Sequence, residues 1–131
     1  MNKKGIATNK APQAIGPYSQ AVGIDNFLFL SGQIALDPDT GELAKADIQL
    51  QTRSVMENLK AVLKAAGLTF DHVVKTTLFL TDMTQFPDVN EVYGSYFDQT
   101  PPARSTVEVA ALPKGAMIEI EAIAVGKRDE G

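Results

Sequence analysis

The chain has 131 residues, 44% of them hydrophobic and 21% charged, with a formal net charge of −4 at pH 7, so we expect one globular domain, residues 1–131. The lack of cysteine excludes disulfides and thiolate chemistry, and the single histidine excludes a multi-histidine metal site within one chain. The negative charge disfavours binding to nucleic acid and to anionic membranes. We expect a cytoplasmic protein, because no apolar run approaches the ~20 residues of a transmembrane helix and no signal peptide is recognisable.

Apolar periodicity, turn residues and capping residues predict the secondary structure. In chain order the predicted elements are strands at 18–24 and 27–31, a short extended run at 33–36, a helix bounded by Asp47 and Gly67, a strand at 73–80, a helix at 87–97, and strands at 104–109 and 117–125. Asp25 and Asn26 tolerate the positive φ of a tight turn between the first two strands. Asp47 can cap the first helix and Gly67 can end it. The polar chain ends, residues 1–10 and 127–131, are predicted to be loose.

This order predicts an α+β fold in which two helices cover one face of a mixed β-sheet. Several strands carry apolar residues on both faces, because side chains alternate along a strand. In the strand at 73–80, alternation places Val74, Leu78 and Leu80 on one face and Val73 and Phe79 on the other. Two helices leave the second face uncovered, and a large exposed apolar patch is typical of an interface. We therefore predict a homo-oligomer built through that face.

Arg104 opens the strand at 104–109, where alternation puts Thr106 and Glu108 on the same face. A strand arginine beside apolar neighbours can hold a carboxylate through the two parallel hydrogen bonds of its planar fork. The alternative is a structural ion pair with Glu108, Glu119 or Glu121, since buried charges are usually paired.

Two further features could carry chemistry. Glu119 and Glu121 share one strand face, so their repulsion in a partly dry site would raise the pKa of one and make it a general base. The alternative is an outward, solvated face. Ser31 and Gly32 end a predicted strand, where glycine allows a ligand to approach the backbone and the Ser31 hydroxyl can donate or accept; a strand-end bulge is the alternative.

Tyr18 could close a pocket with its ring and offer its hydroxyl, or it could pack in a core or an interface. Asn90 lies at the edge of the apolar stripe of the second helix, where a simple solvated position is the alternative. His72 follows Asp71 and is predicted to be a surface histidine, because a chain neighbour orients a Ser-His-Asp triad poorly.

Seven segments, distributed over nearly the whole chain, carry a family resemblance. They are AIGPYSQA at 14–21, SGQI at 31–34, VKTT at 74–77, PARS at 102–105, VEVA at 107–110, LPK at 112–114 and IEIEAIA at 118–124. Together they resemble the reactive intermediate/imine deaminase family in its archetypal RidA subfamily. The resemblance implies a chorismate-mutase-like (RidA-type) fold assembled as a homotrimer with pockets between subunits, which agrees with an uncovered sheet face.

The resemblance also implies hydrolysis of 2-imino acids and their enamine tautomers, namely 2-iminobutanoate and 2-iminopropanoate released by pyridoxal-phosphate enzymes, to 2-oxo acids and ammonia, with no cofactor or metal. It assigns the substrate carboxylate to Arg104 and the attacking water to Glu119. The pocket would be lined by Tyr18, Ser31, Gly32 and Asn90. Thr106 stands where the family commonly has cysteine, which excludes any duty that needs a thiol, although its hydroxyl or N–H could still bind substrate or water.

Two other function classes remain open. The first is a non-catalytic small-ligand-binding or chaperone-like module that uses the same pocket or the exposed apolar surface without turnover. The second is an RNA-cleaving translation inhibitor. The negative net charge argues against RNA, as do the basic runs Lys3-Lys4 and Lys127-Arg128, which lie at the chain ends without aromatic residues among them.

Overall fold

The computed structural model describes residues 1–128, and in that range it contains two α-helices and six strands. In chain order they are β1 (Lys4–Ile6), β2 (Ala21–Ile24), β3 (Phe27–Gln33), α1 (Ile48–Ala65), β4 (Val73–Leu80), α2 (Phe86–Gly94), β5 (Ala103–Glu108) and β6 (Ile118–Val125). The predicted α+β class is confirmed. The strand β4 has the bounds that its apolar pattern predicts, and β5 and β6 differ from their predictions by one residue at their ends.

The strands form one six-stranded sheet in the order β1-β2-β3-β6-β4-β5. Only β4 and β5 pair in parallel, and the other neighbours are antiparallel. A parallel pair needs a crossover connection, and α2 supplies it. The sheet is therefore mixed, as predicted, and β5 lies at one of its edges.

Residues 129–131 of the predicted loose carboxy-terminal segment lie outside the described residues. Near the amino terminus, the structure corrects the prediction. Residues 4–6, predicted to be loose, form β1 and pair with residues 21–23 of β2, because pairing satisfies backbone groups that would otherwise need water. The predicted run at 33–36 is divided, since Gln33 ends β3 while Leu36 forms an isolated bridge with Leu43.

Both predicted caps of α1 are present. The Asp47 carboxylate accepts hydrogen bonds from the backbone N–H groups of Gln49 and Leu50, each at 3.0 Å. Gly67 follows the helix with a φ of 78°, a conformation that glycine adopts without strain. Between these residues, α1 presents one buried apolar stripe to the sheet, made of Val55, Met56, Leu59, Val62 and Leu63.

The second helix is shorter than predicted and ends at Gly94 rather than at residue 97. After Gly94 the backbone turns tightly, with Tyr96 N–H donating to Tyr93 O and Phe97 N–H to Gly94 O, both at 3.2 Å. These turns let the rings of Tyr96 and Phe97 pack edge-on against Phe70, at centroid distances of 5.3 and 5.5 Å. The aromatic cluster of Phe70, Tyr96 and Phe97 therefore lies just beyond the end of the helix.

Both helices pack on one face of the sheet, where the central strands bury Leu28, Leu78, Leu80, Ile118 and Ile120. Two predicted positions are wrong, because Val73 is buried on this face and Val74 is 47% exposed. The β4–β6 register shifts between Val73 and Lys75. A bulge of this kind inserts one residue and reverses the faces on one side of it, so Val74 does not share the face of Leu78 and Leu80.

The opposite face, called here the open face, is left without a covering layer by residues 1–128. Phe27 and Phe29 on β3 are 47% and 45% exposed and stack at 6.1 Å, and Val107 on β5 is 40% exposed. The partly buried Phe79 and Ile123 belong to the same face. In the part of the chain described here, no helix has the length and hydropathy to span a bilayer. The homo-oligomer stays a prediction, and the exposed apolar residues of the open face support it.

Candidate functional site

Arg104 lies at the exposed edge of the sheet, on the face that the helices cover, because it pairs in register with the buried Thr76 of β4. Its Nη1 donates to Asn90 Oδ1 at 2.7 Å. Its guanidinium carbon lies 4.9 Å from the ring centroid of Phe86 and 5.2 Å from that of Tyr93, within the range of cation–π attraction. We call this group, Arg104 with Asn90, Phe86 and Tyr93, the Arg104 shelf.

The three residues beneath the guanidinium come from one stripe of α2. Phe86, Asn90 and Tyr93 are spaced four and three residues apart, which places them on the same side of a helix. Asn90 is a predicted pocket residue, whereas the two aromatic residues, Phe86 and Tyr93, are not among the predicted site residues. Their helical spacing from Asn90 is the sequence signal that could have identified them.

The guanidinium keeps most of its hydrogen-bonding capacity. Glu108, a predicted ion-pair partner, instead accepts from the Met83 backbone N–H at 2.8 Å. Across residues 1–128, Arg104 forms the Asn90 hydrogen bond and no ion pair with a carboxylate. One of five N–H donors is thus engaged, which leaves the Nε and Nη2 edge able to hold a planar carboxylate side-on.

A second group of predicted residues lines a groove of about 730 Å³ at the other side of the sheet, called here the Glu119 groove. Tyr18, Ser31, Gly32 and Glu119 all contribute to its wall. The Ser31 hydroxyl donates to the Ser19 carbonyl at 2.6 Å, which ties the Tyr18 segment to the end of β3. The groove therefore joins residues that are far apart in the chain.

Gly32 makes room for the Glu119 side chain rather than for a ligand. A Cβ atom built at Gly32 would lie only 2.8 Å from Glu119 Cδ, so any larger residue would displace the carboxyl group. The space predicted for a ligand against the Gly32 backbone is thus occupied by the carboxyl group of Glu119, the candidate base.

The Glu119 carboxyl group is half-buried, and this burial raises its pKa. The neighbouring Glu121 charge raises the pKa further, as the shared strand face predicts. A carboxylate with a raised pKa is a better general base near neutral pH than an ordinary one.

The raised pKa gives an expected result for Glu119→Gln. Below the ordinary glutamate value of 4.5 the carboxyl is protonated in both the folded and unfolded states, so it costs no stability. As the pH rises through the raised pKa of the folded state, folding opposes ionisation and the wild-type protein loses stability. We expect Glu119→Gln to be more stable than wild type in urea unfolding at pH 7, with the difference lost at pH 4.

The exposed Glu42→Gln provides a matched control for this comparison, because it also removes one carboxylate. It should show no such pH-dependent gain. An equal gain for Glu119→Gln at both pH values, or a loss of stability at pH 7, would contradict the raised pKa.

The two groups of candidate residues lie on opposite faces of the sheet. Glu119 pairs with Phe79 in β4, whereas Arg104 pairs with Thr76, and positions of odd separation along a strand face opposite sides. The Arg104 shelf is thus on the helix-covered face and the Glu119 groove on the open face. One chain cannot present the guanidinium and the carboxylate to the same small molecule.

Thr106 belongs to the Arg104 side, because it pairs with the buried Leu78 on the helix-covered face. Its Oγ1 is buried and, within the described range of the chain, has no hydrogen-bond partner. A larger cavity, of about 960 Å³, lies instead between α1 and residues 37–45, and none of the predicted site residues lines it. Cavity size alone therefore does not locate the candidate site.

Comparisons with known proteins agree over nearly the full chain. The family model described as "Endoribonuclease L-PSP" matches residues 8–126. Protein DfrA of Myxococcus xanthus is 59% identical over 127 residues, which cover 95% of this chain and 97% of that protein. The 2-iminobutanoate/2-iminopropanoate deaminase of Mus musculus is 51% identical over 123 residues, covering 94% and 91%. The crystal structure of RidA from the Antarctic bacterium Psychrobacter sp. has a TM-score of 0.91 at 45% identity, covering 94% of this chain and 99% of that one.

Proposed function

The chain belongs to the endoribonuclease L-PSP family, in its RidA branch, and on that basis we propose that it is a cytoplasmic homotrimeric deaminase acting as one domain, residues 1–131. Its substrates are the 2-imino acids 2-iminobutanoate and 2-iminopropanoate, which it hydrolyses to 2-oxo acids and ammonia. The observation that carries this proposal is the Arg104 shelf, which holds an arginine fork at an exposed edge without a carboxylate partner from residues 1–128.

A 2-imino acid carries its carboxylate next to the electrophilic carbon C2. Side-on binding of that carboxylate by Arg104 fixes C2 at a constant position relative to the protein, which replaces a random encounter with water by a local one. The aromatic rings exclude water from one face of the guanidinium and so strengthen its attraction for the anion. The Arg104 shelf therefore binds and orients the substrate.

Glu119 supplies the proton transfers. It accepts a proton from the water whose oxygen bonds to C2, which gives a tetrahedral adduct that carries both a hydroxyl and the nitrogen. It returns that proton to the nitrogen, which becomes an amino group, and then transfers the hydroxyl proton to the same nitrogen, so the C2–N bond breaks, ammonia leaves, and the remaining oxygen becomes the carbonyl of the 2-oxo acid. Protons and atoms balance in these steps without a cofactor.

The site requires a neighbouring copy of the chain, because Arg104 and Glu119 lie on opposite sheet faces within one chain. A head-to-tail contact through the open face would bring the Arg104 shelf of one subunit against the partner subunit's Glu119. Such a contact closes into a ring when the rotation allows it, and a trimer is the ring we propose. Tyr18, Ser31 and Gly32 then line the pocket from the Glu119 side, and Asn90 and Thr106 from the Arg104 side.

The alternatives are weaker on the same observations. RNA cleavage is in the description of the family model, but a net charge of −4 opposes the phosphate contacts that RNA binding depends on. Ligand binding without turnover would use the shelf alone and leave a carboxylate of raised pKa in the groove without a task. The deaminase uses both features.

The deciding assay couples the protein to a pyridoxal-phosphate dehydratase that releases 2-iminobutanoate or 2-iminopropanoate. We expect the 2-oxo acid to appear faster when the protein is present, at unchanged dehydratase activity. An unchanged imine lifetime together with saturable 2-oxo acid binding would favour the binding module. RNA cleavage at physiological salt, without any effect on the imine, would favour the nuclease.

A further inference from the structure

The position of Tyr93 in the core depends on a hydrogen bond as well as on apolar packing. Its hydroxyl shares a hydrogen bond of 2.7 Å with Thr76 Oγ1, and the two residues are 5% and 2% exposed. Because buried hydroxyls are costly without a partner, this hydrogen bond ties the phenol ring of α2 to the strand β4. Burial also raises the pKa of Tyr93, which keeps the phenol neutral beside Arg104.

The Tyr93 ring contacts two other side chains, Arg104 and Phe97. One side faces the Arg104 guanidinium at 5.2 Å, and the ring of Phe97 lies 4.9 Å away. The anchor and the guanidinium are also joined through the sheet, since Thr76 pairs in register with Arg104. The three residues are therefore linked pairwise. Thr76 is a strand neighbour of Arg104, Tyr93 shares a hydrogen bond with Thr76, and the Tyr93 ring makes a cation–π contact with Arg104.

Phe86 and Asn90 cannot provide the same constraint. Phe86 contacts the guanidinium at 4.9 Å, but a phenylalanine ring has no polar atom to anchor it. Asn90 is exposed and fixes only Nη1. Among the residues of the Arg104 shelf, only Tyr93 combines a ring contact with a buried anchor.

We propose that Tyr93, anchored by Thr76, is a positioning residue that sets the plane of the Arg104 guanidinium and thereby the affinity for the substrate carboxylate. This inference rests on the proposed function and adds the residues that prepare its anion clamp. A long arginine side chain loses rotamer freedom when it binds a ligand, and a clamp that is already ordered avoids that loss on binding. Because Tyr93 contacts Arg104 and lies on the sheet face opposite to Glu119, its loss should weaken binding more than chemistry.

The test compares Tyr93→Leu, which removes the ring, with Tyr93→Phe and Thr76→Val, which each remove one hydroxyl. We expect Tyr93→Leu to raise both KM for the imine and Kd for 2-oxobutanoate on the order of tenfold, with kcat changed by less than about twofold. Tyr93→Phe and Thr76→Val should each raise both constants a few-fold. Combining them should add little, because they remove the same hydrogen bond.

Tyr96→Leu is the matched control, because it removes another tyrosine ring from the same segment without a contact to Arg104. It should leave KM, Kd and kcat at wild-type values. Wild-type Kd in Tyr93→Leu, an equal rise in Tyr96→Leu, or a fall in kcat at constant KM would overturn the proposal. Tyr93→Phe preserves the ring volume and carries the test if Tyr93→Leu does not fold. Because Kd for 2-oxobutanoate needs no turnover, a protein that binds it but does not hydrolyse imines would refute the proposed function alone.

Discussion

Arg104→Lys is expected to lower kcat/KM for 2-iminobutanoate by at least about a hundredfold, because two charge-assisted hydrogen bonds to the substrate carboxylate are lost together. A lysine ammonium keeps the positive charge but offers no planar fork to a carboxylate. It would also give up the flat contact with the rings of Phe86 and Tyr93, which lie 4.9 and 5.2 Å from the guanidinium carbon. The effect tests geometry rather than charge.

The measurement is the dehydratase-coupled assay, accompanied by sedimentation to show that the variant keeps the wild-type assembly. Arg53→Lys is the matched control, since it makes the same change at an exposed position of α1 and should retain wild-type kcat/KM. If Arg104→Lys keeps the wild-type value in an intact assembly, the anion clamp is not at Arg104.

Mixing two inactive variants, Arg104→Ala and Glu119→Gln, should restore about a quarter of the wild-type activity. Each variant alone lacks one half of every site. In a ring assembled at random from equal amounts, a complete site needs a subunit with intact Arg104 beside a partner with intact Glu119. Each condition is met half of the time, so about one site in four is complete. The activity would rise from near zero, whereas destabilisation of either variant could only lower it.

The exchange is started by partial denaturation and refolding of the mixture, and mass spectrometry verifies that mixed assemblies form. A mixture of Arg104→Ala with Arg104→Lys is the control, and it should recover nothing because no subunit offers the clamp. The opposite sheet faces of Arg104 and Glu119 imply that the two residues can meet only between subunits. Mixed assemblies that stay inactive would contradict a site shared between subunits.

Gly32 and Glu119 illustrate how the fold and the site constrain each other. The carboxyl group occupies the space where a side chain at residue 32 would stand, and its burial raises its pKa. Ionisation of Glu119 therefore costs stability, and the raised pKa gives the stronger base that the proposed mechanism needs. Stability given up at one position in this way is typical of functional sites.

Local structure was largely determined by the sequence itself. The caps Asp47 and Gly67, the apolar stripe of α1 and the bounds of β4 depend on residues close together in the chain, and the structure agrees with the sequence at each of them. The alternation that groups Arg104 with Thr106, and Glu119 with Glu121, is local in the same sense. Helical and strand periodicity can be identified in a linear sequence because each concerns a few consecutive residues.

Only the tertiary structure decided how these segments meet. Strand order and register placed Arg104 and Glu119 on opposite faces, a bulge turned Val74 away from Leu78, and packing brought Phe86 and Tyr93 of α2 beneath a guanidinium on β5. Each of these outcomes depends on contacts between residues far apart in the chain. Such contacts are selected by burial and shape over the whole molecule, and no short stretch of sequence records them.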